Sequence, residues 1–231
     1  MQVLIIANGK FKVADVIKYQ KKGYYLIACD GAANKLKQLD IIFDLVVGDM
    51  DSISPQTLQF AKDNCKYHHK KSQDDTDLEF AINIAQEFAS KIVIIGALST
   101  DRLDHMLMNI LLLKKVYNEN IPTLMRDTKQ MLVFVKDQSI RFACKNNDPI
   151  GFFGFPQAVV TCKSNSKKFL NALEWKLDNY ALDFEKNTSS SNIIRSESFT
   201  AQIKGECVIA FPKNAQYYFV SNVSNENKSH K

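Results

Sequence analysis

Four short acidic clusters lie between Asp30 and Asp104: Cys29-Asp30-Gly31, Gly48-Asp49-Met50-Asp51-Ser52, Gln73-Asp74-Asp75-Thr76-Asp77 and Arg102-Leu103-Asp104-His105. Three of them stand where an apolar run gives way to polar sequence. Carboxylates gathered at strand ends suit Mg²⁺ beside a polyphosphate, because magnesium is a hard cation that takes oxygen ligands and keeps part of its water. The chain therefore reads as a magnesium- and nucleotide-using enzyme.

Each cluster also has a plainer reading. Asp49 and Asp51 are two apart, so in extended backbone they share a face and can turn toward one cation. Gly48 lets the backbone approach a ligand closely, and Ser52 can cap the next turn; an ordinary Asx-rich turn would look the same. Asp74, Asp75 and Asp77 open a helix, where acidic side chains commonly just complement the helix dipole. Three carboxylates in five residues nevertheless exceed what one cap needs. Asp77 can complete a metal site with Asp49 and Asp51, Thr76 can offer a hydroxyl to a phosphate, and Gln73 can pair with a base or ribose. Arg102 carries a planar, permanently charged fork suited to phosphate, and Asp104 can take ribose hydroxyls; a surface Arg–Asp pair at a helix start accounts for both as well. His105 fits a cap, core-edge packing or solvent, and is not assigned as a general base. Asp30 reads equally as a nucleotide contact or a turn residue. Trp175, the single tryptophan, either packs in a core or offers a face to an aromatic cation. Ser189-Ser190-Ser191-Asn192 reads as a flexible loop or as a donor set for a small heterocycle. The absence of Gly-x-Gly-x-x-Gly and of a Walker sequence argues against a conventional dinucleotide site or P-loop.

The elements that must hold these residues alternate in the first half. Apolar runs at 3–7, 25–29, 45–47 and 91–95 are separated by helical stretches at 13–20, 32–39 and 55–64. Ser54 followed by Pro55 is an N-cap with proline at the first helical position. Leu78, Ala81, Ile82, Ala85 and Phe88 fall on one helical face, capped by Asp75 or Thr76. Met106, Leu107, Ile110, Leu111 and Lys114 give a further stripe. This alternation predicts βαβ units and a mainly parallel sheet with flanking helices, with ligands outside the carboxyl ends of the strands. Beyond about Thr123 the helical stripes stop. Short runs at 131–135, 140–143, 150–155, 159–162, 167–175, 200–203 and 207–211 predict an antiparallel β-sandwich. The expected division is an α/β catalytic domain at 1–130 and a β-sandwich domain at 131–231, the tail from Ser221 being polar.

A length of 231 residues with 45% hydrophobic content leaves room for two cores. A net charge of +5 suits anionic small molecules and does not point to nucleic acid. The run Lys66-Tyr67-His68-His69-Lys70-Lys71 reads as a solvated loop. Five cysteines with no Cys-x-x-Cys pair argue against a disulfide framework or zinc site and for a reducing compartment. The first seven residues read as a strand and not a signal peptide, and no apolar stretch is long enough to span a membrane. Neither a nucleic acid nor a membrane is an expected partner.

In their order along the chain, these stretches resemble the thiamine pyrophosphokinase family. Asp30-Gly31-Ala32-Ala33-Asn34 is similar to its Asp-Gly-Gly-Ala-Asn segment, Gly48-Asp49-Met50-Asp51-Ser52 to its Gly-Asp-x-Asp-Ser signature, Gln73-Asp74-Asp75-Thr76-Asp77 to Gln-Asp-x-Thr-Asp, and Arg102-Leu103-Asp104-His105 to Arg-x-Asp-His. Leu173-Glu174-Trp175-Lys176-Leu177 and Ser189-Ser190-Ser191-Asn192 resemble its thiamine-side stretches. The resemblance implies an N-terminal α/β domain, a C-terminal β-sandwich and a homodimer, and the cysteine usage adds the expectation of a cytoplasmic location. It implies transfer of diphosphate from ATP to the hydroxyl of thiamine, giving thiamine diphosphate and AMP. By position, Asp49, Asp51 and Asp77 would hold Mg²⁺, and Asp30, Gln73, Thr76, Arg102 and Asp104 would line the nucleotide. Trp175, Ser189, Ser191 and Asn192 would lie on the thiamine side. For the transfer itself, Asp74 and Asp51 are the two candidates to accept the hydroxyl proton, and the sequence does not choose between them. One departure is the loop Gly96-Ala97-Leu98-Ser99-Thr100-Asp101, which carries fewer glycines than the family's and an added carboxylate. The alternatives are a Mg²⁺-dependent phosphotransferase acting on another small alcohol, separated by thiamine-dependent AMP release, and a non-catalytic nucleotide-binding module, which would bind ATP and form no product.

Overall fold

Apolar runs without a polar break become buried strands, and the stretches between them become the helices that cover those strands. The computed structural model describes residues 1–72, 74–98 and 102–220. In chain order the first half is β1 (Gln2–Ile6), α1 (Val13–Gln20), β2 (Tyr25–Cys29), α2 (Ala32–Gln38), β3 (Leu45–Gly48), α3 (Pro55–Asn64), β4 (Lys66–His69), α4 (Asp77–Gln86), β5 (Lys91–Ile95), α5 (Leu103–Lys115), β6 (Thr123–Arg126) and β7 (Gln130–Lys136). The strands are ordered β6-β5-β1-β2-β3-β4 and all neighbours along this path are parallel; β7 adds antiparallel to β6. Val3, Leu4, Ile5 and Ile6 are fully buried at its centre, as a sheet covered on both faces requires. The order reverses at β1, which has β2 on one side and β5 on the other. The carboxyl ends of β1 and β5 therefore flank the crevice where open α/β sheets take their ligands.

The helix starts follow the sequence chemistry. Ser54 Oγ accepts from Thr57 N at 3.2 Å to cap α3, and Thr76 Oγ1 accepts from Glu79 N at 3.1 Å to cap α4. Leu78, Ala81, Ile82 and Ala85 are buried as the stripe predicts, while Phe88 is partly exposed against the edge of Tyr25. The expected stripe on α5 is wrong in phase. Leu112 and Leu113 are buried, whereas Leu103, Leu107 and Met108 are exposed. This helix is apolar nearly all round, so periodicity does not single out a face. The basic run at 66–71 is not a loop either, since 66–69 forms the exposed edge strand β4. A charged, polar edge is one way sheets avoid further pairing, and it carries no apolar alternation by which to be recognised.

The chain divides into two compact units between Val133 and Phe134. The second contains β8 (Ser139–Ala143), β9 (Pro149–Ser164), β10 (Tyr180–Asp183), β11 (Ser189–Ile193), β12 (Ser198–Pro212) and β13 (Gln216–Val220). All of its pairings are antiparallel: β9 carries β10, β11 and β12, and β8 lies between β12 and β13. Phe142, Phe152, Phe199 and Phe211 fill its interior. Runs separated in the sequence reading merge into the long strands β9 and β12. Lys204-Gly205 is not a turn but lies inside β12, just before a register shift between Gly205 and Cys207. A Cβ on Gly205 would fall 2.7 Å from the Gln157 carbonyl oxygen, and its φ of +87° suits glycine. The run at 167–175 is not a strand, and its one ladder contact is a bridge from Leu173 to Ile194. Ser189-Ser190-Ser191-Asn192, read as a loop or a donor set, lies in strand β11. Among the described residues no helix is long and apolar enough to cross a membrane.

Candidate active site

The first wall of the site is the turn after β1. Ala7 N donates to Ile95 O at 2.8 Å and Gly9 N to Gly96 O at 3.0 Å, tying this turn to the end of β5. Lys35 Nζ holds the turn from α2 by donating to the carbonyl oxygens of Asn8 and Gly9. Gly96 is required at this junction: at φ +80° its Cβ would lie 2.5 Å from the Ala7 carbonyl oxygen.

The second wall is acidic. Asp30 follows β2 with φ at +40° and is 4% exposed. Its Oδ2 accepts from Ser52 N at 3.1 Å, while its Oδ1 is buried without a hydrogen-bond partner. The turn after β3 carries Asp49 and Asp51, folded back on itself by Ser52 Oγ donating to Asp51 Oδ1 at 2.8 Å. Asn34 clamps this turn from α2, donating to Ser52 O at 2.8 Å and accepting from Ser54 N at 2.9 Å. His69 Nε2 lies 3.2 Å from the Asp49 carbonyl oxygen. Carboxylate oxygens of Asp30, Asp49 and Asp51 all lie within 4.8 Å of one another. Asp77 joins them at the start of α4, beside Gly48: a Cβ at Gly48 would sit 2.8 Å from Asp30 Cβ and 3.3 Å from Asp77 Cγ.

Burial, with a smaller contribution from neighbouring like charges, favours the protonated form of two of these groups. Burial raises the Asp30 carboxyl above its ordinary value; hydrogen bonds from Ser52 oppose this, and the charge of Asp77 adds to it. Burial also raises Asp77, Lys70 opposes the rise, and Asp49 and Asp51 add to it. Asp77 Oδ1 is buried without a well-formed hydrogen bond, although Lys70 Nζ lies 3.3 Å away as an ion pair. The donor set is all oxygen, and the neighbouring Cys29 thiol is pushed far up by burial, so it stays protonated. Anionic oxygens, with a buried one left unpaired, fit a hard divalent cation and not a soft one.

These groups line one cleft of about 740 Å³. Of the residues expected at the site, Asp30, Asp49, Asp51, Thr76, Asp77 and Arg102 line it. Arg102 is exposed and ion-paired with Asp104, its Nε donating to Asp104 Oδ1 at 3.0 Å. That pairing holds the Asp104 carboxyl down at about 2. Asp104 and Asp74 are not among the residues lining the cleft. Asp74 is exposed and paired with the hydroxyl of Ser72. Gln73 and residues 99–101 of the altered loop lie outside the described residues.

Trp175, Ser189, Ser191 and Asn192 belong to the second unit. The Asn192 side chain is buried and engaged with Trp175, accepting from its backbone N at 3.2 Å and donating to its O at 2.8 Å. Trp175 itself is 61% exposed, so it is not a core residue. Ser189 and Asn192 flank an irregularity in the β11–β9 pairing, and Ser191 lies inside it with φ at +61°.

Sequence reasoning missed Lys70. It is 7% exposed and lines the cleft. The only signal lies in the sheet register: His69 pairs with Gly48, so the next residue comes level with the acidic turn. Nothing in the linear sequence shows that pairing.

Residues 16–125 match the sequence profile of the thiamin pyrophosphokinase catalytic domain. Solved structures with the same fold include thiamine pyrophosphokinase from Bacillus subtilis, at 22% identity over 93% of this chain and 100% of that one, with a TM-score of 0.78. Thiamin pyrophosphokinase from Candida albicans matches at 19% identity over 91% of this chain and 88% of that one, with a TM-score of 0.78. The yeast enzyme matches at 15% identity over 91% and 86%, with a TM-score of 0.71. At these identities the structures speak for the fold. No curated protein sequence matches the chain. The profile match covers a little under half of the chain, and it is the stretch that holds Asp30, Asp49, Asp51, Asp77 and Arg102; over that stretch the chain is similar to the thiamin pyrophosphokinase catalytic domain.

Proposed function

We propose that this protein transfers diphosphate from ATP to the hydroxyl of thiamine, giving thiamine diphosphate and AMP, with Mg²⁺ as the metal. The observation that supports this most is the convergence of Asp30, Asp49 and Asp51 within 4.8 Å, beside Asp77, in a cleft at the sheet's switch point. In this reading Asp49, Asp51 and Asp77 would hold the metal, and Asp30, whose carboxylate gathers with those of Asp49 and Asp51, completes the acidic wall. When bound, the metal neutralises phosphate charge and helps fix the polyphosphate for in-line transfer. Arg102 binds the same anion once its pairing with Asp104 opens, and the Thr76 hydroxyl meets a phosphate from the start of α4. The thiamine oxygen forms a bond to the β-phosphorus, the bond from that phosphorus to the oxygen bridging it to the α-phosphorus breaks, and AMP leaves with that oxygen. Positioning and charge stabilisation supply most of the acceleration in such transfers. Between the two carboxylates considered as proton acceptor, Asp51 lines the cleft and Asp74 does not, which favours Asp51.

The thiamine side is assigned to Trp175, Ser189 and Ser191, with Asn192 holding the Trp175 backbone so that its exposed ring can stack on an aromatic cation. We assign the catalytic role to the first unit and the thiamine side to the second. A homodimer is supported by the exposed apolar side chains of Leu103, Leu107 and Met108 on α5. Five free cysteines support a reducing, cytoplasmic location. The test is incubation with Mg–ATP and thiamine, measuring AMP and ADP separately. Thiamine-dependent AMP in step with thiamine diphosphate is expected; ADP as the product would replace this reading with a simple kinase.

A further inference from the structure

Lys70 is the one buried cation among the described residues that line the cleft. Arg102, also at the cleft, is 63% exposed and already paired with Asp104. Lys70 is fixed by its own backbone, whose N donates to Gly48 O at 2.8 Å, and by Nζ, which donates to the Asp75 carbonyl oxygen at 2.6 Å. The same Nζ stands 3.3 Å from Asp77 Oδ1. Four carboxylates, Asp30, Asp49, Asp51 and Asp77, thus share a wall with a single buried ammonium.

We propose that Lys70 is a resident counter-ion of this wall: it holds the carboxylates together in the metal-free protein and competes with the divalent cation for them, so that it sets metal affinity. The inference rests on the metal reading above. A buried charge acts through a lower effective dielectric than an exposed one, so Lys70 offsets the cluster more than Arg102 does. Two cations that share carboxylates weaken each other's hold, and the coupling is reciprocal. Lys70 therefore stabilises the metal-free state at a cost in metal affinity. A side chain that merely braced the Asp75 carbonyl would have no such coupling.

The test uses the full-length protein stripped of metal. Mg²⁺ is titrated by calorimetry into wild type, Lys70→Met and Lys70→Arg, and thermal unfolding is followed in EDTA and in saturating Mg²⁺. Lys70→Met is expected to lower Tm more in EDTA than in Mg²⁺ and to bind Mg²⁺ about tenfold more tightly. Lys70→Arg, which keeps the charge, is expected to stay within about twofold of wild type in affinity. Equal Tm losses in both conditions with unchanged Mg²⁺ affinity would overturn the inference, as would Lys70→Arg behaving like Lys70→Met. If wild type itself takes up no Mg²⁺, the metal reading falls and the inference with it; if wild type binds and Lys70→Met binds the same, only the inference falls.

Discussion

Asp49 and Asp30 carry opposite balances of function and stability. Asp49 sits on the metal-facing turn, and its replacement by Asn keeps the volume while removing a ligand charge. Asp49→Asn should leave the fold and Tm close to wild type and lower kcat by about 10²–10³, the scale on which a single electrostatic stabiliser acts. Steady-state kinetics beside a circular-dichroism melt check both halves; normal turnover would refute the metal assignment. Asp30 is buried with an unpaired Oδ1, and its carboxyl titrates above the ordinary value chiefly because of burial. The folded state then holds a proton that the unfolded chain has released. The stability this contributes is fully present below the ordinary carboxylate range and is lost as pH rises through the raised value. Asp77 contributes with the same sign. Metal-free protein should therefore lose stability as pH climbs from the ordinary carboxylate value toward neutrality. Asp30→Asn, which tolerates the left-handed backbone at this position, should flatten that profile and raise the neutral-pH Tm while reducing activity. Thermal melts across pH in EDTA decide this, and an unchanged slope would count against it.

The elements show why some of the site was legible and some was not. Asp49 and Asp51, two apart after an apolar run, announce themselves in the sequence, as do the Ser54 and Thr76 caps, because each depends on neighbours within a few residues. Lys70 and the edge strand β4 do not, because their role is set by pairing β4 against β3, a long-range register invisible in a polar tetrapeptide. The face of α5 failed for a different reason: eight apolar residues spread around the helix erase the phase that a stripe would give. Gly48 belongs to the same scale. At φ +145°, with Asp30 Cβ only 2.8 Å from where its own Cβ would stand, it lets two acidic elements meet. Gly48→Ala should cost about 1–3 kcal/mol through backbone strain alone, measured by urea unfolding, and should push Asp30 and Asp77 apart with loss of activity. Full activity in that variant would show that this close approach is not needed.

At the level of the whole molecule, the parallel order β6-β5-β1-β2-β3-β4 brings together carboxylates separated by as many as 47 positions, from Asp30 to Asp77. Alternating strands and helices made this architecture readable, and the switch point at β1 arises because the chain, after building β2, β3 and β4 on one side, returns to place β5 and β6 on the other. The second unit was readable as antiparallel strands but not in its detail, since bulges let β9 and β12 run through positions that look like turns. The exposed Trp175, held by Asn192 from the neighbouring strand, likewise required coordinates. If the acidic wall holds one divalent ion, crystals grown with Mn²⁺ and an ATP analogue, with data collected at the manganese edge, should show an anomalous peak within about 2.0–2.4 Å of carboxylate oxygens from Asp49 and Asp51, with Asp30 beside it. A well-bound nucleotide with manganese absent from that wall, or a peak elsewhere on the chain, would show that the carboxylates do not form a metal site.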